Sequence, residues 1–171
     1  VFPIGTISGE GEYAFIFEMK GYYAHRALKR LLSAGIIVQI NENPFTVSGQ
    51  YFDRGSAVIP LGVQKNKRAL IKQIISQITS QDGIDIHKSA TGYAQKGIDL
   101  GSRSMEVLKL PKVAILVGDG VSSYEAGEVW HLHDQRFEMG VTLLPIQNLS
   151  STDLSKYNKI VMPNGNYSKL N

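Results

Sequence analysis

Lys112-Val113-Ala114-Ile115-Leu116-Val117-Gly118-Asp119-Gly120-Val121-Ser122-Ser123-Tyr124-Glu125 is the stretch on which the reading of the fold turns. From Val113 to Val117 nothing polar interrupts the run, so it reads as a strand covered on both faces. Gly118 to Ser123 reads as the turn. Ser122-x-x-Glu125 has the spacing of a capping box, in which the hydroxyl takes one free N–H and the carboxylate returns to another. Ala126, Val129, Trp130, His133 and Phe137 then share one helical stripe, with Gly140 expected to close the helix. Val141 to Leu144 returns as a strand. A turn of helix over Asp153 to Tyr157 leads to a further strand, Lys159 to Met162, and to Pro163-Asn164-Gly165.

Upstream, Tyr13-Ala14-Phe15-Ile16-Phe17 has the character of a buried strand. Ala24, Ala27, Leu28 and Leu31 follow at helical spacing, Gly35 is placed to cap that helix, and Ile36 to Ile40 reads as the next strand. Strand, helix and strand in so short a span form a β-α-β unit, so the two strands are expected to be parallel. Asn41 to Ser56 reads as a polar connection and Ala57-Val58-Ile59 as a short strand. A second helix is expected over Lys67 to Thr79, with Ile71, Ile74, Ile75 and Ile78 on one side and Asp82-Gly83 ending it. Ile84 to Lys109 reads as irregular. Two β-α-β units in series predict an α/β fold with an open, mostly parallel sheet and helices on both faces. The chain is expected to be one domain or domain fragment over residues 1–171. Its sub-units would be a first β-α-β unit over 13–60, a helix and irregular connection over 61–111, and a second β-α-β unit over 112–171.

The 171 residues are 43% hydrophobic and 19% charged, which supplies an ordinary globular core. The net charge of +3 is scattered. Its densest patch, Lys65-Asn66-Lys67-Arg68, reads as a solvated helix end because no aromatic stacking platform accompanies it, so no nucleic-acid partner is expected. No cysteine is present, which excludes disulfides, thiolate metal sites and a cysteine nucleophile. No apolar run is long enough for membrane insertion, and Val1-Phe2-Pro3-Ile4-Gly5 does not read as a signal peptide. Both ends read as cuts in a longer chain, with proteolytic processing as the alternative.

The residues that could carry chemistry do not assemble on paper into a reaction centre. His131 and His133 lie two apart on a helix and point away from each other, and Glu128-x-x-His131 lacks the second copy that a di-iron bundle needs. His133 is expected at the core edge with one polar partner, His131 and Asp134 in solvent, and His25 and His87 as structural residues. Ser122 and Ser123 lack a Gly-x-Ser-x-Gly elbow. Gly118-Asp119-Gly120 joins a buried strand to a helix start, where N–H groups can hold an anion. It lacks the third glycine of the dinucleotide fingerprint and the Gly-Lys-Ser/Thr of a phosphate loop. A small ligand, if bound, is expected at Gly118, Asp119, Gly120, Ser122, Ser123 and Asn164, because both loops lie at carboxyl ends of strands. No catalytic or metal-binding residue is assigned.

Lys112 to Trp130, with Leu132, Asp134-Gln135-Arg136-Phe137 and Val141-Thr142-Leu143-Leu144, resembles the region that follows the catalytic domain in large bacterial zinc carboxypeptidase-like proteins. There a carboxypeptidase A-type domain precedes a module resembling class I glutamine amidotransferases. Asp153 to Gly165 is similar to the place where amidotransferase-like domains end a strand in Pro-x-Gly, and Tyr13 to Pro60 and Gly97 to Ser102 are similar to segments joining the two modules. The resemblance implies a flavodoxin-like or class I amidotransferase-like fold, serving as a non-catalytic accessory C-terminal part of a peptide-hydrolysing metallopeptidase that is secreted or periplasmic. Its partner would be the upstream peptidase domain of the same chain, and zinc is expected only in that domain. The family's zinc motif, His-x-x-Glu, is absent: His25, His87, His131 and His133 are followed three places on by Leu28, Ala90, Asp134 and Arg136. The cysteine nucleophile of true amidotransferases is absent as well. The alternatives are an amidotransferase-like module binding a small anion or molecule, and a degenerate hydrolase acting through Ser122 or His133.

Overall fold

The computed structural model describes residues 4–168, which fall into two units, one ending at Lys109 and the other beginning at Leu110. The first unit opens with β1 (Ile7–Gly9), β2 (Ala14–Phe17), α1 (Ala24–Ser33) and β3 (Gln39–Asn41). A hairpin of β4 (Phe45–Val47) and β5 (Gln50–Phe52) precedes β6 (Ala57–Pro60) and α2 (Arg68–Gln77). β7 (Ile86–Ser89), β8 (Lys96–Gly97) and β9 (Met105–Val107) complete it. Six strands form one sheet in the order β1-β7-β2-β6-β3-β9, and β5-β4-β8 form a second. Only β1 and β7 pair in parallel in the larger sheet; every other pair is antiparallel. Taken alone, β2-α1-β3-β6-α2-β7 has the spatial order β7-β2-β6-β3, which is a split β-α-β arrangement.

The alternation of side chains divides this sheet's two faces. Phe15, Phe17, Ala57, Ile59 and Ile86 pack with Ala24, Ala27 and Leu31 of α1 and with Ile71, Ile74 and Ile75 of α2. Ala14, Ile16 and Val58 point the other way, onto Phe45, Val47 and Phe52 of the small sheet. Both helices therefore lie on one side of this sheet. Gly35 caps α1 in a left-handed conformation (φ +66), and Gly35 N and Ile36 N donate to Leu32 O and Leu31 O at 3.0 Å each. This is the Schellman pattern, with buried Ile36 and Leu31 as its apolar pair.

In the second unit, β10 (Val113–Val117) lies between β11 (Val141–Pro145) and β12 (Lys159–Val161), all parallel. α3 (Ser123–His131) runs on into a π-helical turn over Leu132–Arg136. Val113, Ile115 and Ala126 form the core on the side of α3. Ala114, Leu116 and Leu144 form the other, covered by Leu149, Tyr157 and Tyr167 from turns and loop.

The expected open, mostly parallel sheet of flavodoxin-like or amidotransferase-like type, with helices on both faces, is not what the chain forms. It builds three sheets, the largest of them mixed, and carries few helices. Three local causes account for the difference. First, β2 and β3 run in the same direction, but β6 is inserted between them, antiparallel to both. The chain returns from β3 through a hairpin, not the helical crossover that parallel neighbours need. That hairpin, read as a polar connection, turns at Ser48-Gly49 with φ of 52° and 77°, the sign a two-residue type I′ turn requires. Second, Ile84 to Lys109 contains β7, whose Ile86-His87-Lys88-Ser89 has one large apolar residue and is held by pairing to both β1 and β2. Third, Ile36 to Val38 is not strand. Pro60 ends β6 without an N–H, and the buried Gln64 amide bonds Ile37 instead: Oε1 accepts from Ile37 N at 2.9 Å, and Nε2 donates to Ile37 O and Pro60 O at 3.0 and 2.9 Å. A smaller correction falls in the second unit, where Glu138 (φ +55), not Gly140, takes the left-handed position after the helix.

The base of the hairpin is closed by buried Asn41. Its Oδ1 accepts from Ser56 N at 2.7 Å, and its Nδ2 donates to Asn43 O and Asp53 O at 2.8 and 2.9 Å. Asn41→Ala strands these backbone groups, and we expect it to cost about 2–3 kcal/mol of stability. A lower urea midpoint at unchanged slope would register this; a loss below about 0.5 kcal/mol would mean that water replaces the amide.

Candidate functional site

At the carboxyl end of β10 the chain turns through Gly118 (φ +105) and Gly120 (φ +90). A Cβ on Gly120 would come within 2.9 Å of Asn166 O, and one on Gly165 within 2.6 Å of Gly120 O, so the two loops meet backbone to backbone. Ser122 N donates to Asn164 O and Asn166 N to Gly120 O, both at 2.8 Å. Tyr167 Oη donates to Pro163 O, and its pKa is raised, chiefly by burial and then by the negative charge of Glu125. The structure thus brings all six sequence-selected residues, Gly118, Asp119, Gly120, Ser122, Ser123 and Asn164, to one end of the sheet.

The capping box forms only by half. Ser122 Oγ accepts from Glu125 N at 3.4 Å, but the Glu125 carboxylate does not return to Ser122. Its Oε2 accepts from Asn164 N at 2.8 Å and so ties the second loop to the helix start. Glu125 therefore already supplies negative charge to the first turn of α3, where a bound anion would otherwise be favoured.

Beside this junction lies a recess of about 190 Å³, lined by Val117, Gly118 and Val121, by Leu143 of β11, and by Ser123, Ala126, Gly127 and Trp130 of α3. Of the six expected residues only Gly118 and Ser123 line it; Asp119, Gly120, Ser122 and Asn164 build the junction behind it. Sequence reasoning assigned Ala126 and Trp130 to a core stripe. Ala126 is buried in the core as that stripe requires, whereas Trp130 is 38% exposed; the sequence signal on this face is Gly127, a glycine interior to a helix one turn before the tryptophan.

His133 Nδ1 lies 2.9 Å from Val129 O, one turn back on the same helical segment, the single polar partner expected of it. Among the described residues no group of three or more His, Asp or Glu side chains is gathered to hold a metal ion, and no helix is long and apolar enough to cross a membrane.

The first unit has a different cleft, of about 380 Å³, that the sequence did not signal. Asp85 Oδ1 in it accepts from Thr6 N and Thr6 Oγ1 at 2.7 and 2.8 Å, which lowers its pKa. Lys20 and Glu18 pair at 2.7 Å. His87 Nδ1 lies 3.2 Å from Ser8 Oγ, while its Nε2 is buried without a partner among the described residues. A serine and an imidazole meet here, but among the described residues no carboxylate bonds the ring as a hydrolytic triad requires. No family profile, curated protein or solved structure matches this chain.

Burial lowers the pKa of His87 below its ordinary 6.5. The folded state therefore binds fewer protons than the unfolded state once the pH falls below about 6.5, and stability declines from there until the folded pKa is passed. Thermal unfolding between pH 7.5 and 5 should show this loss, and His87→Gln should flatten it. An unchanged slope in the variant would assign the effect elsewhere; Asp85 and Glu12, with lowered pKa values, lose their contribution only in more acidic solution.

Proposed function

We propose that this chain is a non-catalytic accessory module of a zinc carboxypeptidase-type protein, and that its second unit offers a small-molecule recess at the carboxyl end of the parallel sheet. The observation that carries the reading is that one segment serves both arguments. Lys112 to Trp130 bears the family resemblance, and the same segment supplies every lining residue of the recess except Leu143. The groups there that could do chemistry are engaged structurally. Ser122 caps α3, Glu125 holds Asn164, and the His133 ring is bonded to its own helix. These engagements favour a scaffold with a pocket over a hydrolase acting through Ser122 or His133. Glu125 at the helix start weighs against the small-anion alternative.

In this reading the peptidase chemistry and its zinc belong to a domain upstream, together with secretion or periplasmic location. The purified chain should hold no stoichiometric zinc after dialysis and release no C-terminal residue from peptides ending in aromatic or basic side chains. Tightly bound zinc or measurable turnover would overturn the accessory assignment. An in-frame His-x-x-Glu and a later His encoded upstream of Val1 would support the association with a peptidase. An unrelated domain there would remove it.

A further inference from the structure

We infer that Gly127 sets the size limit of the recess in the second unit and keeps it open for a single planar aromatic ring; this rests on the small-molecule reading of that unit. Glycine inside a helix is less stable than alanine, so its presence at the middle of nine-residue α3 calls for a reason. The usual reasons do not apply. Gly127 has no left-handed backbone, and a Cβ built on it would meet nothing within 4 Å. Gly120 and Gly165 differ, since a side chain at either would collide with the facing loop. What Gly127 does is form part of the recess wall.

Ser123, Ala126, Gly127 and Trp130 fall at i, i+3, i+4 and i+7, so one face of α3 makes that wall, with β10 and Leu143 opposite. Ser123 contributes its only polar side chain. Trp130 is 38% and Leu143 48% exposed, although both belong to stripes that a closed core would cover. The volume of about 190 Å³ is near that of an apolar cavity known to take benzene, roughly 150 Å³, so one ring fills the part of the recess below the exposed rim of Trp130 and Leu143. An indole in the wall favours an aromatic guest over an aliphatic one of equal size, through offset or edge-to-face packing. The ligand class is therefore a one-ring aromatic compound whose polar substituent faces the mouth.

The test uses the full 171-residue chain with phenol, 2-naphthol and inorganic phosphate as probes. It is read by amide and indole N–H chemical shifts; Trp130 is the only tryptophan, so its indole signal is unambiguous. Phenol should give saturable shifts at Val117, Val121, Ala126, Gly127 and Trp130, and 2-naphthol should bind more weakly. Gly127→Ala should raise the melting temperature while weakening phenol about tenfold, the scale of one methyl-sized group in an apolar pocket. Gly127→Leu should abolish binding; if that variant does not fold, the alanine variant still decides. Equal phenol affinity in the wild type and Gly127→Ala would overturn the role of Gly127. Phosphate shifts at Ser123 to Glu125 without any phenol response would overturn the aromatic inference and leave a small-molecule module standing. Silence with every probe would remove both.

Discussion

The constraint behind the first unit is that β2 has no solvent face. All four residues from Ala14 to Phe17 are buried, so both sides of the sheet around it must be covered. Among the described residues that unit has two α-helices, and both are used on one side. The other side can be closed only by more sheet, and the β4–β5 hairpin with β8 supplies it. The mixed strand order follows: an excursion that leaves and re-enters between β3 and β6 returns antiparallel.

Closing the unit this way leaves backbone and charged groups inside, and a few side chains satisfy them. Gln64 substitutes for a neighbouring strand at Ile37, and Asn41 does the same at the mouth of the hairpin. Asp82 has a fully buried side chain and is held by Arg26 Nε at 2.6 Å and Arg30 Nε at 3.0 Å, which fastens α1 to the π-helical turn, Ile78–Asp82, that follows α2. Arg26 also lies over the Tyr23 ring at 3.9 Å. Such a pair is costly to break because removing one partner leaves a charge in a low-dielectric interior. These residues hold the fold's specific geometry more than its compactness.

In the second unit the same economy of polar groups shapes the candidate site. The loops at the carboxyl end of the parallel sheet are bound to one another, so Ser122 and the Glu125 carboxylate become structural. What remains open is apolar. That the two loops lie at one sheet end was legible in advance, because a glycine-rich turn following a buried strand and Pro-x-Gly after another both belong there. The character of the site was not. Ser122-x-x-Glu125 looks self-contained in sequence, and only the arrival of Asn164 diverts the carboxylate. Trp130 reads as core from spacing alone, since spacing gives a face of a helix and not what lies opposite. His87 could be read from sequence only as structural, for its cleft neighbours Ser8 and Phe52 come from distant strands.

The sequence by itself determined the local features that depend on near neighbours along the chain. These are the apolar runs of β2 and β10, the stripes of α1 and α2, the left-handed cap at Gly35 and the end of the second helix before Gly83. Tertiary structure alone decided which strands are neighbours, in which direction they pair, and that α1 and α2 share a face. The physical reason is that pairing and sidedness are set by covering apolar surface across the whole unit. Strands as short as β4 and β7 are too brief to announce themselves, and become strands because partners on either side satisfy their backbone, while β5 at the sheet edge is held by β4.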